Sequence, residues 1–96
     1  MAIRVVAHLQ AHPEKTSELR ELLEGLVVPT RQEAGCVSYE MLESLEDPAR
    51  FTFVEEWTSD EALQAHFETE HIRSALANFP ELLAADLDLR TYRIVR

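Results

Sequence analysis

The segment Phe51-Thr52-Phe53-Val54-Glu55-Glu56-Trp57 places a carboxylate among aromatics. With a strand's period of two, Phe51, Phe53, Glu55 and Trp57 share one face. Three large aromatics mark that face as the core side, so Glu55 lies in the middle of an apolar surface. A carboxylate buried there needs a hydrogen-bonded partner or stays protonated. Two readings remain open. Glu55 is a structural residue tied to Arg31 or to a backbone amide, or it is a polar residue lining a substrate pocket.

His66 and His71 lie five residues apart, about 140° on a continuous helix. A paired metal site favours i, i+4 spacing, and no acidic residue at ligand spacing joins them, so no metal is expected. His66 follows Leu63 by three residues and borders the apolar stripe of its helix. A neutral imidazole at the mouth of an apolar pocket is a candidate general base. His8 is expected on the outer sheet face and His12 in a loop. Tyr39 offers a phenol to a pocket, or simply packs. Cys36 is the only cysteine. Without a base partner it reads as a small buried hydrophobe rather than a nucleophile.

Other chemistries find no support. GxGxxG, the P-loop and GxSxG are all missing. Gly25 and Gly35 are the only glycines, too few for a phosphate-cradling loop. The expected substrate is a small organic molecule held by few polar groups, with no nucleotide.

These residues must be positioned by a small set of elements. Ile3, Val5, Ala7 and Leu9 alternate with Arg4, Val6, His8 and Gln10, a first strand over 3–10. Pro13 suits a helix first turn. Leu19, Leu22, Leu23, Leu26, Val27 and Thr30 follow helical spacing over about 14–28, and Pro29 should kink or end that helix. Gly35 closes the segment. A second strand over 36–45 puts Val37, Tyr39 and Met41 on one face. Glu46-Asp47-Pro48 turns the chain into a third strand, 51–57. Thr58-Ser59-Asp60-Glu61 has capping-box form and starts a helix through about 67. Thr69 restarts it through about 78, Pro80 opens a short turn or helix, and Leu87, Leu89 and Thr91 alternate in a last strand. The order β-α-β-β-α-β is the split βαβ, ferredoxin-like arrangement. It is an α+β fold with a four-stranded antiparallel sheet and helices on one face.

Length and charge limit the rest. Ninety-six residues, 46% of them apolar, make one globular domain over 1–96. At this size only about 60–65% of the unfolded surface is buried, which favours a homodimer through the bare sheet faces. Val6, Val54, Tyr92 and Ile94 would point there; a monomer with a half-wet sheet is the alternative. Nine Lys and Arg against 18 Asp and Glu leave a net charge of −9, so no nucleic acid and no anionic membrane surface is expected as partner. The N-terminal run lacks the pattern of a secretory leader, and a lone cysteine suits a reducing, cytoplasmic location.

Two segments carry a family likeness. Thr30-Arg31-Gln32-Glu33-Ala34-Gly35-Cys36 with Tyr39, and Phe53-x-Glu55-x-Trp57 followed by Glu61-Ala62-Leu63, His66 and His71, resemble the corresponding segments of antibiotic biosynthesis monooxygenase (ABM) domain proteins. The resemblance spans almost the whole chain. It implies a ferredoxin-like dimeric α+β barrel. It also implies oxidation of small aromatic substrates such as quinols or anthrones without metal or flavin, isomerisation of small molecules, or haem degradation. The haem-degrading members use a strand-one Asn, a helical Trp and a helical His. Those positions hold Ala7, His66 and Leu76 here, which argues against haem.

An electron-rich hydroquinone or anthrone, once deprotonated, reduces O2 directly, so a protein need supply only a base, a shaped apolar cavity and charge stabilisation. On this reading no cofactor is needed and His66 is the base. Glu55 tunes a neighbour, Arg31 pairs with Glu55 or steadies a substrate oxyanion, and Trp57, Phe53, Tyr39 and His71 shape the pocket. A non-catalytic ligand-binding or stress-related barrel, and an isomerase of a small dicarbonyl or lactone, are the alternatives.

Overall fold

The computed structural model describes residues 1–96. Strand β1 spans Ile3–Gln10, and a 3-10 turn, Pro13–Lys15, leads into helix α1, Thr16–Arg31. Strands β2, Cys36–Glu43, and β3, Arg50–Trp57, form a hairpin. Helices α2, Asp60–Phe67, and α3, Glu70–Leu82, precede strand β4, Asp88–Tyr92. All four strands pair antiparallel in the order β2-β3-β1-β4. The ferredoxin-like α+β arrangement read from the alternation is the one observed, with the second helix split in two.

The helix-covered face is set by the period-two pattern. Val5, Ala7 and Leu9 of β1 and Phe51, Phe53, Glu55 and Trp57 of β3 are all buried. They pair across the strands as Val5 with Glu55, Ala7 with Phe53 and Leu9 with Phe51. Leu19, Leu23 and Leu26 of α1 and Ile72 and Ala75 of α3 close the core above them. On the outer face, polar groups satisfy one another. Arg4 Nε donates to Glu56 Oε1 at 2.9 Å, and His8 Nδ1 meets Thr52 Oγ1 at 2.9 Å. Val6 and Val54 are half-buried there, and Tyr92 and Ile94 are about half exposed.

Three local expectations are corrected. Helix α1 runs through Pro29 to Arg31. The ring removes only the bond to the Gly25 carbonyl, and the N–H of Gln32 and Glu33 close the last turn onto Pro29 and Thr30. Pro80 likewise lies inside α3, where buried Leu82 carries the helix one more turn and Leu83 N–H donates to Phe79 O at 2.8 Å. Val37 does not share the core face with Tyr39. Cys36 pairs with Trp57 and Ser38 with Glu56, so Val37 is the extra residue of a bulge and is exposed.

The start of α2 shifts by one residue from the expected box. Ser59, not Thr58, is the N-cap, and its Oγ accepts from Ala62 N at 3.1 Å. A two-residue break, Glu68-Thr69, separates α2 from α3. That break turns His71 back toward His66.

Candidate functional site

Glu55 is held from its own strand. The indole Nε1–H of Trp57 donates to Glu55 Oε1 at 2.9 Å, a contact that alternate residues on one strand face make easily. Burial pushes the Glu55 carboxyl up to about 7; the indole bond opposes the rise and the charge of Glu33 adds to it. Arg31 is not its partner. The exposed Arg31 side chain runs along β2 and its Nε donates to the Tyr39 carbonyl at 3.0 Å. The reason is its place at the end of α1, over the sheet edge rather than inside the core.

His66 ends up inside. Its side chain is 3% exposed, and its ring centroid lies 4.5 Å from that of Trp57 and 5.9 Å from that of Tyr39. Nδ1 is 2.8 Å from Glu33 Oε2, and His71 Nε2 is 2.8 Å from the same oxygen. A carboxylate oxygen only accepts, so His66 carries its proton on Nδ1 and keeps a lone pair on Nε2. Burial lowers the imidazole pKa and the Glu33 contact opposes the fall, which leaves the ring neutral near pH 7. Thr69 Oγ1 donates to the His66 carbonyl at 2.7 Å and sits 3.3 Å from His71 Nε2.

Glu33 is the residue that reading the sequence overlooked. It lies just past α1, in the Thr30–Cys36 segment, far from the histidines in sequence. The expectation that no acidic group joins the two histidines is therefore overturned. Gly35 explains how Glu33 gets there. A Cβ at Gly35 would stand 2.2 Å from Ala62 Cβ and 3.4 Å from Ala62 Cα. Only a glycine lets this connection lie against the first turn of α2, where Thr58 N–H also donates to Gly35 O at 2.9 Å.

A cavity of about 40 Å³ opens beside these groups. Tyr39, Glu55 and His66 are its polar lining; Phe53, Leu26 and Ile72 are among the apolar residues that complete it. Tyr39 stacks on Phe53 with centroids 4.7 Å apart. Burial, and then the charge of Glu55, drive its phenol pKa far up, so it stays a hydroxyl. Trp57, His71 and Arg31 do not line this cavity. Trp57 is fully buried behind Glu55 and His66, and His71 lies on the far side of Glu33. Cys36 is half-buried and its thiol pKa is raised, first by burial and then by Glu33, which matches an inert side chain. Leu76, Phe79 and Leu87 are shared between the cavity and a surface cleft of about 440 Å³.

Comparison with known proteins agrees with this architecture. The family model Antibiotic biosynthesis monooxygenase (ABM) matches residues 2–78. The Mycobacterium tuberculosis protein named "Putative monooxygenase Rv0793" is 36% identical over 81 residues, 84% of this chain and 79% of its own length. The Bacillus subtilis protein named "Putative monooxygenase YcnE" is 32% identical over 83 residues, 86% of this chain and 87% of its own. A Synechocystis relative, sll1783, is 32% identical over 92 residues, and this chain spans only 63% of its length. The structure of Rv0793 superposes with a TM-score of 0.96 at 29% identity, covering 100% of this chain and 97% of that one. A conserved protein from Methanosarcina mazei gives 0.90 at 34% identity, covering 97% and 92%. This chain belongs to the antibiotic biosynthesis monooxygenase family.

Proposed function

We propose that this chain is a monooxygenase that oxidises a small electron-rich aromatic, of the hydroquinone or anthrone type, with O2 and with neither metal nor flavin. The observation that carries the reading is His66: a buried neutral imidazole, fixed at Nδ1 by Glu33, on an apolar cavity shared with Glu55 and Tyr39. Its Nε2 lone pair takes a proton from the substrate hydroxyl or the anthrone methylene. The resulting anion gives one electron to O2, and the radical pair recombines into a carbon-bound hydroperoxide. Loss of water from C(H)–OOH leaves a carbonyl. One oxygen atom enters the product, the other leaves as water, and all four electrons come from the substrate. An imidazolium beside the growing negative charge stabilises it, with the Tyr39 hydroxyl as a second donor. Glu55 adjusts the field at the cavity through its own protonation.

The cavity of about 40 Å³ has room for a water-sized group but not for an aromatic ring. Substrate therefore enters by displacing Leu76, Phe79 and Leu87 toward the adjoining cleft. The chain acts as one domain over 1–96, in a reducing, cytoplasmic compartment. Leu42, Tyr92 and Ile94, all about half exposed, favour pairing of two chains through their outer sheet faces.

Oxygen uptake with a panel of hydroquinones and anthrones tests the proposal. His66→Ala should lose about 10²-fold or more in kcat with an unchanged circular dichroism spectrum; full activity would remove His66 from the role. The small volume favours one other reading, a non-catalytic barrel that binds an apolar ligand. Tight binding of the same aromatics without O2 uptake would establish it.

A further inference from the structure

We propose that Glu33, His66 and His71 form a binding site for one divalent transition-metal ion of the zinc class. Their ligating atoms, one carboxylate oxygen and two imidazole nitrogens, all lie within 4.8 Å of one another. Glu33 Oε2 sits 2.8 Å from both His66 Nδ1 and His71 Nε2. Neighbouring ligands on a four-coordinate zinc lie about 3.3 Å apart, given metal–ligand bonds of roughly 2.0–2.1 Å. To admit an ion, the two nitrogen–oxygen pairs need to open by about half an ångström and the two ring nitrogens, which lie within 4.8 Å of each other, need to settle at that same spacing. Three protein ligands leave the fourth position to water.

Donor chemistry and surroundings point the same way. Two imidazoles and one carboxylate suit zinc, cobalt, nickel or copper rather than magnesium or calcium. The ligands come from rigid neighbours: the end of α2, the first turn of α3 and the connection packed through Gly35. Thr69 Oγ1 donates to the His66 backbone carbonyl, which ties the end of α2 to the start of α3 where the two histidines stand. Exposure rises outward from His66 at 3% through Glu33 at 14% to His71 at 24%, which gives the ion a path from solvent.

The site meets the proposed base at one atom. A metal on His66 Nδ1 takes the lone pair there, so the ring proton moves to Nε2 and both imidazoles stay neutral. The ring then presents a donor instead of a base. This consequence rests on the proposed oxygenase reading; the binding itself does not.

Isothermal titration with Zn2+ and visible absorption with Co2+ test the site on the whole chain. One ion per chain is expected, with no binding of Mg2+ at the same concentration. His71→Ala and Glu33→Gln should each weaken binding at least about tenfold, the loss seen even for outer-shell partners. Glu33→Gln keeps the side chain's shape and carries the test if His71→Ala fails to fold. Failure of the wild type to bind one ion, or equal affinity in the Glu33→Gln protein, overturns the site. Zn2+ should also suppress hydroquinone oxidation in proportion to occupancy. Stoichiometric binding that leaves oxidation untouched keeps the metal site and refutes His66 as the base.

Discussion

Glu55→Gln keeps the shape of the side chain and removes its ionisation. The folded-state pKa of Glu55 is about 7, against an ordinary 4.5. Between those values the folded protein binds more protons than the unfolded one, so the unfolding free energy falls as pH rises through that window. The gap of about 2.5 units corresponds to about 3 kcal/mol at 1.36 kcal/mol per unit, fully developed above pH 8. Gln resembles the neutral acid and still accepts from the Trp57 indole, so it escapes the penalty. The variant should differ from wild type by less than about 1 kcal/mol at pH 5 and be more stable by about 3 kcal/mol at pH 8. Urea denaturation of both proteins at several pH values measures this difference, and groups common to both cancel. For a domain of this size the pH 8 gap is worth roughly 10 °C or more in Tm. A constant offset from pH 5 to 8, or a less stable variant at pH 8, would refute the burial reasoning. A kcat at least tenfold lower in the same variant would assign the ionised group to turnover.

Glu33→Ala removes the acceptor at His66 Nδ1 and should lower kcat by about 10²-fold, and nitrogen NMR should show His66 losing its preference for the Nδ1–H tautomer. Trp57→Phe deletes the indole donor to a charged acceptor, a loss of about 1.5–3 kcal/mol above pH 7; urea midpoints report it, and the Glu55 titration should move to higher pH. Gly35→Ala sets a Cβ against Ala62 and should cost about 1–3 kcal/mol by thermal melt, with activity falling because Glu33 is displaced. Leu76→Trp, at a 39% exposed position on the cavity rim, should lower kcat/KM while stability stays within about 0.5 kcal/mol.

Strands were legible because period two puts Val5, Ala7 and Leu9 on one side and Arg4, His8 and Gln10 on the other, with no competing helical pattern. The same rule places Glu55 among aromatics. It failed at Val37, since one extra residue in β2 inverts the alternation, and no residue type marks that bulge. Prolines misled at both helix ends. A proline removes one bond, and the bonds beyond it, Gln32 to Pro29, Glu33 to Thr30 and Leu83 to Phe79, carry each helix past that loss. The site was half legible. His66 was found from its distance to Leu63. Its partner Glu33 was not, because the contact spans 33 residues and depends on close packing at Gly35. The spacing of His66 and His71 argued against convergence only if one helix held both, and the Glu68-Thr69 break removes that premise.

The arrangement of rigid and yielding walls bears on how such a site works. Tyr39, Phe53 and Glu55 stand on the paired strands β2 and β3, and His66 is pinned by Glu33 and packed on Trp57. These groups have little room to move. The opposite wall is different in kind: Leu76, Phe79 and Leu87 come from α3 and the stretch before β4, are only partly buried, and already face an open cleft. Opening the cavity on that side costs apolar contacts of weak, additive strength. Opening it on the other would break the Trp57–Glu55 and Glu33–His66 hydrogen bonds. Under the proposed function, substrate enters on the α3–β4 side, and an aromatic ring arriving there meets His66 and Tyr39, which line the cavity. A carboxylate whose ionisation weakens the fold is retained beside them, in a domain with little stability to spare. Under the proposed function, that carboxylate acts at the reactive end rather than in the core, and the kcat of the Glu55→Gln protein decides between the two.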